Sequence, residues 1–391
     1  MEHGSFGSVA VSESASDQSL RVLHLTAGSD AGGISRYLHV LNHELVGRGH
    51  RPVIAGEVGL WHDLFEDAPW PWVEAPLKGG AVSLWRARGL VERGLRREGF
   101  DGRPPVDVIH SHYRRASLVG RWLAKRWRVP LVYTLHLTGI PVGGASGWMS
   151  DWGDITHVPS SQARDWLLEE VGLAAERIEL IPHGVRAENY PEAGDDARRA
   201  AREALGLGDR SPVVTFVGRF DDPKNEAWVV DLADLSRQIA PEGVFVMQGE
   251  GPHEGELRRS IRKRGLGERV RVLAYGDPKD AYVASDLVVI PSSLEGFSYV
   301  TTEAMALGRP VLRTRTAGWA EHVIEGRTGR SCAVDREAFL MAGLEMLNDS
   351  EGLRAMGHEA AAHVRGSLTL DRQVDQTVEL YKRVIAGARK Y

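Results

Sequence analysis

Residues 287–312 read LVVIPSSLEGFSYVTTEAMALGRPVL. Leu287-Val288-Val289-Ile290 is an apolar run closed by Pro291 and two serines, the pattern of a strand buried on both faces. An Ala-rich helical stretch follows, and Gly308 and Pro310 end it before Val311-Leu312 resumes the apolar pattern. Two such strands joined by one helix argue for parallel pairing, since a parallel pair needs a crossover of this length. The stretch is a βαβ unit.

The same alternation recurs on both sides of it. Val213-Val214-Thr215-Phe216-Val217, Val244-Phe245-Val246-Met247 and Val270-Arg271-Val272-Leu273 precede it, and Pro310-Val311-Leu312 ends it. Far upstream lie Val22-Leu23-His24-Leu25, Val53-Ile54-Ala55, Val106-Asp107-Val108-Ile109-His110 and Leu131-Val132-Tyr133-Thr134. A helical stripe of Ile34, Leu38, Leu41 and Leu45, stopped by Gly47 and Gly49, and another helix from Ala116 to Trp127 lie between them. The fold class expected is α/β, with two Rossmann-like, doubly wound parallel domains. Glu188 to Arg210 carries no sheet-like run and separates the two series. The expected organisation is a loose tail over 1–20, a first domain over 21–187, a linker over 188–207, a second domain over 208–365 and a closing helix over 366–391. Val374, Val378, Tyr381 and Val384 fall at helical spacing in that last segment and should pack on something.

A length of 391 residues suits two domains, or three. Lys and Arg number 48 against 53 Asp and Glu, so no overall positive field draws in nucleic acid, and no nucleic-acid partner is expected. Cys332 is the only cysteine and cannot form an internal disulfide; without a signal peptide, a reducing cytoplasm is the expected setting. No apolar run approaches the roughly 20 residues that span a bilayer.

The candidate chemistry sits at strand ends. Glu295 follows a buried strand, at the sheet edge where open α/β folds bind ligands. Phe297 and Ser298 begin a helix whose first N–H groups can meet phosphate oxygens. Glu303 lies about two turns on, where a carboxylate can accept hydrogen bonds from a vicinal diol such as a ribose. Gly32-Gly33 joins the first strand to the first helix, which suits either a phosphate or a plain tight turn, and the spacing is not G-x-G-x-x-G. Arg219 and Lys224 flank a turn containing Pro223 and suit a diphosphate, the one as a planar fork and the other as a point charge. His136 ends an apolar strand; His110 and His112 are weaker candidates for the same cleft. No H-E-x-x-H, cysteine pair or D-x-D ligand pair marks a metal site, so no metal and no other cofactor is expected. The basic segment from Arg114 to Arg128, with Trp122 and Trp127, and the cations Arg86, Arg88, Arg93, Arg96 and Arg97 admit two readings. One is a solvated face with tryptophans in the core; the other is peripheral contact with anionic lipid at the inner membrane face.

Taken together, these motifs resemble the retaining glycosyltransferases of family 4 (glycosyl transferases group 1). Glu295 and Glu303 match the E-x7-E signature, and Gly32-Gly33 the glycine loop. His110-Ser111-His112 resembles "H-x-H", and Thr134-Leu135-His136 the histidine strand end. Ile181-Pro182-His183-Gly184-Val185 resembles the "I-P-N-G-V" hinge. Phe216-Val217-Gly218-Arg219 with Lys224 matches "V-G-R-x4-K", and Gly249-Glu250-Gly251-Pro252 "G-x-G-P". The resemblance covers about residues 20–365. Asn225 stands where a glycine is usual, His183 where the hinge has asparagine, and Leu137 where an aspartate is frequent.

The resemblance implies a GT-B fold, two Rossmann-like domains facing a cleft, with the acceptor on the first domain and an NDP-sugar, UDP-sugar above all, on the second. It implies α-linked transfer to a hydroxyl acceptor by a front-face, SNi-like route without a metal. Glu303 would hold the ribose, Glu295 with the N–H groups of Phe297 and Ser298 the sugar, and Arg219 and Lys224 the diphosphate. His136 would hydrogen-bond a sugar hydroxyl, and Gly32 and Gly33 would border the donor. A sugar-nucleotide epimerase of the same fold, or a non-catalytic nucleotide-sugar-binding partner, is the alternative. The acceptor side falls to first-domain loops such as 139–152, whose composition is uninformative.

Overall fold

The computed structural model describes residues 19–30, 32–143 and 150–388. Residues 1–18 of the expected tail and 144–149 of the first-domain loop lie outside them. The first sheet is built from β1 (Arg21–Gly28), β2 (Arg51–Glu57), β3 (Trp72–Glu74), β4 (Val108–Ser111), β5 (Leu131–Thr134), β6 (Ile155–Val158) and β7 (Ile178–Leu180), in the order β3-β2-β1-β4-β5-β6-β7. The second is built from β8 (Val213–Val217), β9 (Val244–Gln248), β10 (Val270–Leu273), β11 (Leu287–Ile290), β12 (Val311–Thr314) and β13 (Gly329–Cys332), in the order β10-β9-β8-β11-β12-β13. Every pairing in both sheets is parallel.

Helices cover both faces of each sheet, which is why β11 and β4 are buried along their whole length. Strand order reverses between β1 and β4 in the first sheet and between β8 and β11 in the second. Doubly wound sheets bind ligands at such reversals, outside the strands' C-terminal ends. The segments after β1, β4, β5, β8 and β11 carry the candidate residues other than Glu303 and His110, which lies within β4, so the topology gathers them at the two sheet edges that face each other.

Local packing adds detail that the spacing alone did not carry. The helix Gly33–Gly47 buries Tyr37 with Leu38, Leu41 and Leu45, while Ile34 stays partly exposed. Within residues 188–207 lies a helix, Asp195–Ala204, whose Ala201 joins the second domain's core together with Leu207. Arg198 and Arg202 of that helix grip Asp286 at 2.9 and 2.7 Å, and Asp286 also accepts the Val213 N–H that opens β8.

The chain crosses between domains twice, side by side. Val185 and Thr369 pair as a parallel bridge, with Val185 N–H on Leu368 O and Leu370 N–H on Val185 O. A Cβ on Gly184 would lie 2.1 Å from the Thr369 carbonyl oxygen, so only glycine permits the two crossings to touch. The final helix, Leu370–Ala388, therefore returns to the first domain, where Val374, Val378, Tyr381 and Ile385 pack with Val22, Tyr37 and Leu38. Each large apolar side chain so buried stabilises by about 1.5–3 kcal/mol. Among the described residues, no helix is long and apolar enough to cross a membrane.

Candidate functional site

The second-domain side begins where β8 ends. Asp222–Lys224 form a short turn containing Pro223, and Asn225 then takes left-handed backbone, φ 51° and ψ 38°. Glycine reaches that region freely, and asparagine is among the few other residues that do. The Asn225 amide secures the turn by donating to the Pro291 carbonyl at 2.9 Å. Asn225 thus occupies a backbone region that glycine also reaches freely. The turn aims Lys224 Nζ at Glu295 Oε1, 2.7 Å away. Arg219 does not join them: its side chain is 73% exposed and pairs with Asp221.

Glu295 leads into a loop set by two features. Ser298 Oγ accepts the Thr301 N–H at 3.3 Å, capping the helix Tyr299–Ala306. Phe297 is buried against the His322 and His183 rings, at centroid distances of 4.4 and 5.2 Å. Between them, Gly296 is pressed onto the first domain; a Cβ there would lie 1.7 Å from the His136 carbonyl oxygen. The end of β5 and the loop after β11 are therefore in direct contact across the cleft. His136 is half-buried, and burial pushes its imidazole down to about 3. Gly32 and Gly33 are exposed at the end of β1.

Glu303 sits apart from this group, on the inner face of its helix and only 2% exposed. Its carboxylate is already engaged. Arg36, from the first domain, pairs with Oε1; Tyr190 donates to Oε1 at 3.0 Å and Tyr282 to Oε2 at 3.4 Å. Burial raises the carboxyl's pKa, opposed by Arg36 and the tyrosine hydroxyls. Arg36 also lies over the Tyr299 ring, 5.0 Å from its centroid. A cavity of about 260 Å³ opens beside the cluster, lined by Arg36, His39, His43, Tyr190 and Tyr299.

The structure thus gathers Lys224, Glu295, Gly296 and His136, turns Arg219 outward, and places Glu303 in a separate interdomain cluster. Arg36, Tyr190 and Tyr282 were missed by sequence reasoning. The one available signal was a cation three residues after the glycine pair. The hinge residue His183 stacks on Tyr299 at 5.6 Å, and both of its ring nitrogens are buried without a partner among the described residues. Leu137, in the frequent aspartate position, is exposed.

Beneath the cleft floor lie His24, His110 and His112, which among the described residues are the one group of side chains close enough to share a metal ion. Both nitrogens of His110 and both of His112 already have hydrogen-bond partners. That donor set fits a hydrogen-bond network better than a metal.

Residues 31–189 match the family described as Glycosyltransferase Family 4, and residues 197–363 match Glycosyl transferases group 1. The chain is 33% identical to "D-inositol 3-phosphate glycosyltransferase" of Nocardia farcinica over 66% of its own length and 63% of that protein's. It is 31% identical to the protein of the same name from Salinispora arenicola over 75% of its own length and 72% of that protein's. In fold it is similar to Anabaena Alr3699/HepE, solved in complex with UDP (TM-score 0.80) and with UDP-glucose (TM-score 0.77). Each of those structures is 20% identical and covers 93% of this chain and 100% of the other.

Proposed function

The chain belongs to glycosyltransferase family 4, and from that premise we propose that it transfers a sugar from a UDP-sugar, or another NDP-sugar, to a hydroxyl acceptor with retention and without a metal. One observation carries this reading: Gly296 lies against the His136 carbonyl while the neighbouring Glu295 pairs with Lys224. A donor lying along the second domain would then have its sugar between Glu295 and His136 and its diphosphate at Lys224. Arg219 would swing from Asp221 to join it, a small change for so exposed a side chain.

Charge grows on the departing diphosphate as the C1–O bond breaks, so a fixed cation there favours the transition state over bound donor. The acceptor oxygen forms its bond to C1 on the same face. Its proton passes to the leaving phosphate oxygen, so no protein base is needed. For the ribose to reach Glu303, its diol must replace Arg36 and Tyr190 on the carboxylate.

The relatives' names make D-inositol 3-phosphate the first acceptor to try. Proton NMR of the product from a UDP-α-sugar tests the reading: an α-glycoside is expected, and a β-glycoside refutes retention.

We also propose peripheral contact with anionic membrane through the first domain. Trp85 is 68% exposed beside Arg86, Arg88 and Arg93, with Val82 exposed nearby. Trp122 is instead held between Arg88 and Arg126, 4.9 and 5.5 Å from its ring centroid. Sedimentation with liposomes should require anionic lipid and weaken with salt; no sedimentation with any lipid leaves the face merely solvated.

A further inference from the structure

We infer that His136 faces the cleft with a proton fixed on Nδ1, so that it can give a hydrogen bond but cannot take a proton, and that His112 and His24 are the positioning residues that hold it so. The functional meaning rests on the reading of His136 as a sugar ligand; the proton's location does not.

Two runs of hydrogen-bonded imidazoles lie under the cleft. The direction of the first is set by a carbonyl. His157 Nε2 lies 2.9 Å from Ile181 O, which can only accept, so Nε2 carries the hydrogen. His157 Nδ1 is then a lone pair and accepts the Thr134 hydroxyl at 2.8 Å. Thr134 Oγ1 in turn accepts from His110 Nε2 at 2.6 Å, and His110 Nδ1 accepts the Tyr381 hydroxyl at 2.6 Å. Each ring nitrogen and hydroxyl in this run has a partner with one consistent assignment.

The second run is His24 Nδ1 to His112 Nε2 at 2.9 Å, then His112 Nδ1 to His136 Nε2 at 3.1 Å. Burial keeps all three imidazoles neutral, with His24 and His136 pushed down to about 3 and His112 well below 6.5. A row of neutral imidazoles has one hydrogen per ring, so all the hydrogens point inward or all point outward. His24 Nε2, at the inner end, is buried without a partner among the described residues. Inward pointing would leave an orphaned N–H there, the rarest kind of buried polar group, whereas outward pointing leaves only an unshared lone pair. The row therefore points outward. His24 Nδ1–H donates to His112 Nε2, His112 Nδ1–H donates to His136 Nε2, and His136 must carry its hydrogen on Nδ1. His136 Nδ1 has no partner among the described residues.

Its consequence is chemical: the only lone pair on His136 is spent on His112. His136 offers an N–H to a sugar hydroxyl and holds no base for the acceptor, which agrees with the acceptor proton leaving on the phosphate.

Long-range ¹H–¹⁵N correlation on the full chain with ¹⁵N-histidine reads each tautomer directly. The expected result is Nδ1–H for His136 in the wild type. His112→Leu should move His136 to Nε2–H and lower kcat by roughly 100-fold, the scale of losing one aimed donor, with UDP affinity unchanged. His112→Asn, whose amide N–H takes the place of Nδ1–H, should keep the tautomer and recover most of the rate. A wild-type His136 carrying Nε2–H overturns the inference even where His112→Leu does not fold. Zinc bound tightly by the wild type and lost in His24→Leu overturns it too, since a metal would break the row. Nδ1–H on His136 in a protein that transfers no sugar would sink the proposed function and leave this inference standing.

Discussion

Gly296→Ala is the substitution whose effect follows most directly from the cross-domain contact. The added methyl carbon would start 1.7 Å from the His136 carbonyl oxygen, and both atoms belong to the backbone or are fixed to it. No rotamer relieves the clash. Ordinary contact needs about 3.5 Å, so the loop and the end of β5 must part by roughly 2 Å. The two domains keep separate cores, so the part that gives is the cleft. A displacement of about 1 Å at reacting groups can cost on the order of 100-fold in rate, so kcat should fall by about that much or more. UDP affinity should change by less than about threefold, because Lys224 and Glu303 stay with the second domain. The assay is UDP release from a UDP-sugar, with calorimetry for UDP and a thermal melt to show the fold intact. A folded Gly296→Ala protein with kcat within about fivefold of wild type would refute the reasoning, because the contact would then be absent from the working state.

Other outcomes follow from the same geometry. Lys224→Ala should lower kcat by roughly 100-fold while UDP affinity falls less, and Lys224→Arg should rescue only in part; steady-state kinetics beside calorimetry separates the two effects. Glu303→Gln should weaken UDP binding by about 1–3 kcal/mol, and unchanged affinity by calorimetry would remove the ribose from Glu303. Acid should unfold the protein steeply. His24, His110, His112, His136, His157 and His183 are all held below the ordinary 6.5, to about 3 or 4 where the shift is numbered. Between 6.5 and those values the unfolded chain binds more protons than the folded one. Their contribution is thus intact above pH 6.5 and lost on acidification, by up to about 1.4 kcal/mol per pH unit for each histidine. Urea midpoints at pH 7.5 and 5 that coincide would contradict this.

The fold was legible because its strands are buried on both faces. β11 coincides with an unbroken apolar run, and β5, β8 and β10 with apolar runs holding a single Thr or Arg. The strands that went unread are short or polar: Trp72–Glu74 and Ile178–Leu180 are three-residue edge strands, Gly329–Cys332 holds Gly, Arg and Ser, and Ile155–Val158 has a histidine in its middle. Their place is decided by neighbours rather than by their own pattern. In the site, residues could be read from the spacing within their own loops, Glu295 after β11 and Lys224 after β8, while their pairing across 71 positions could not. Arg36 with Glu303 could not, because 267 positions separate them and only the closure of two domains makes them neighbours. The histidines were read singly for the same reason. Their rows arise from adjacent parallel strands in register, His24 beside His110 and Thr134 beside His157, and register is invisible along one strand.

The central claim is that this chain releases a nucleoside diphosphate from a sugar donor with its own cations. Purified full-length protein should be incubated with UDP-, GDP-, ADP- and TDP-sugars in EDTA, and nucleotide release followed with and without a hydroxyl acceptor. The account predicts release from a UDP-sugar that survives EDTA, accelerates with acceptor and collapses in Lys224→Ala. Release from none of the four donors, or release that EDTA abolishes and Mn²⁺ restores, would contradict it.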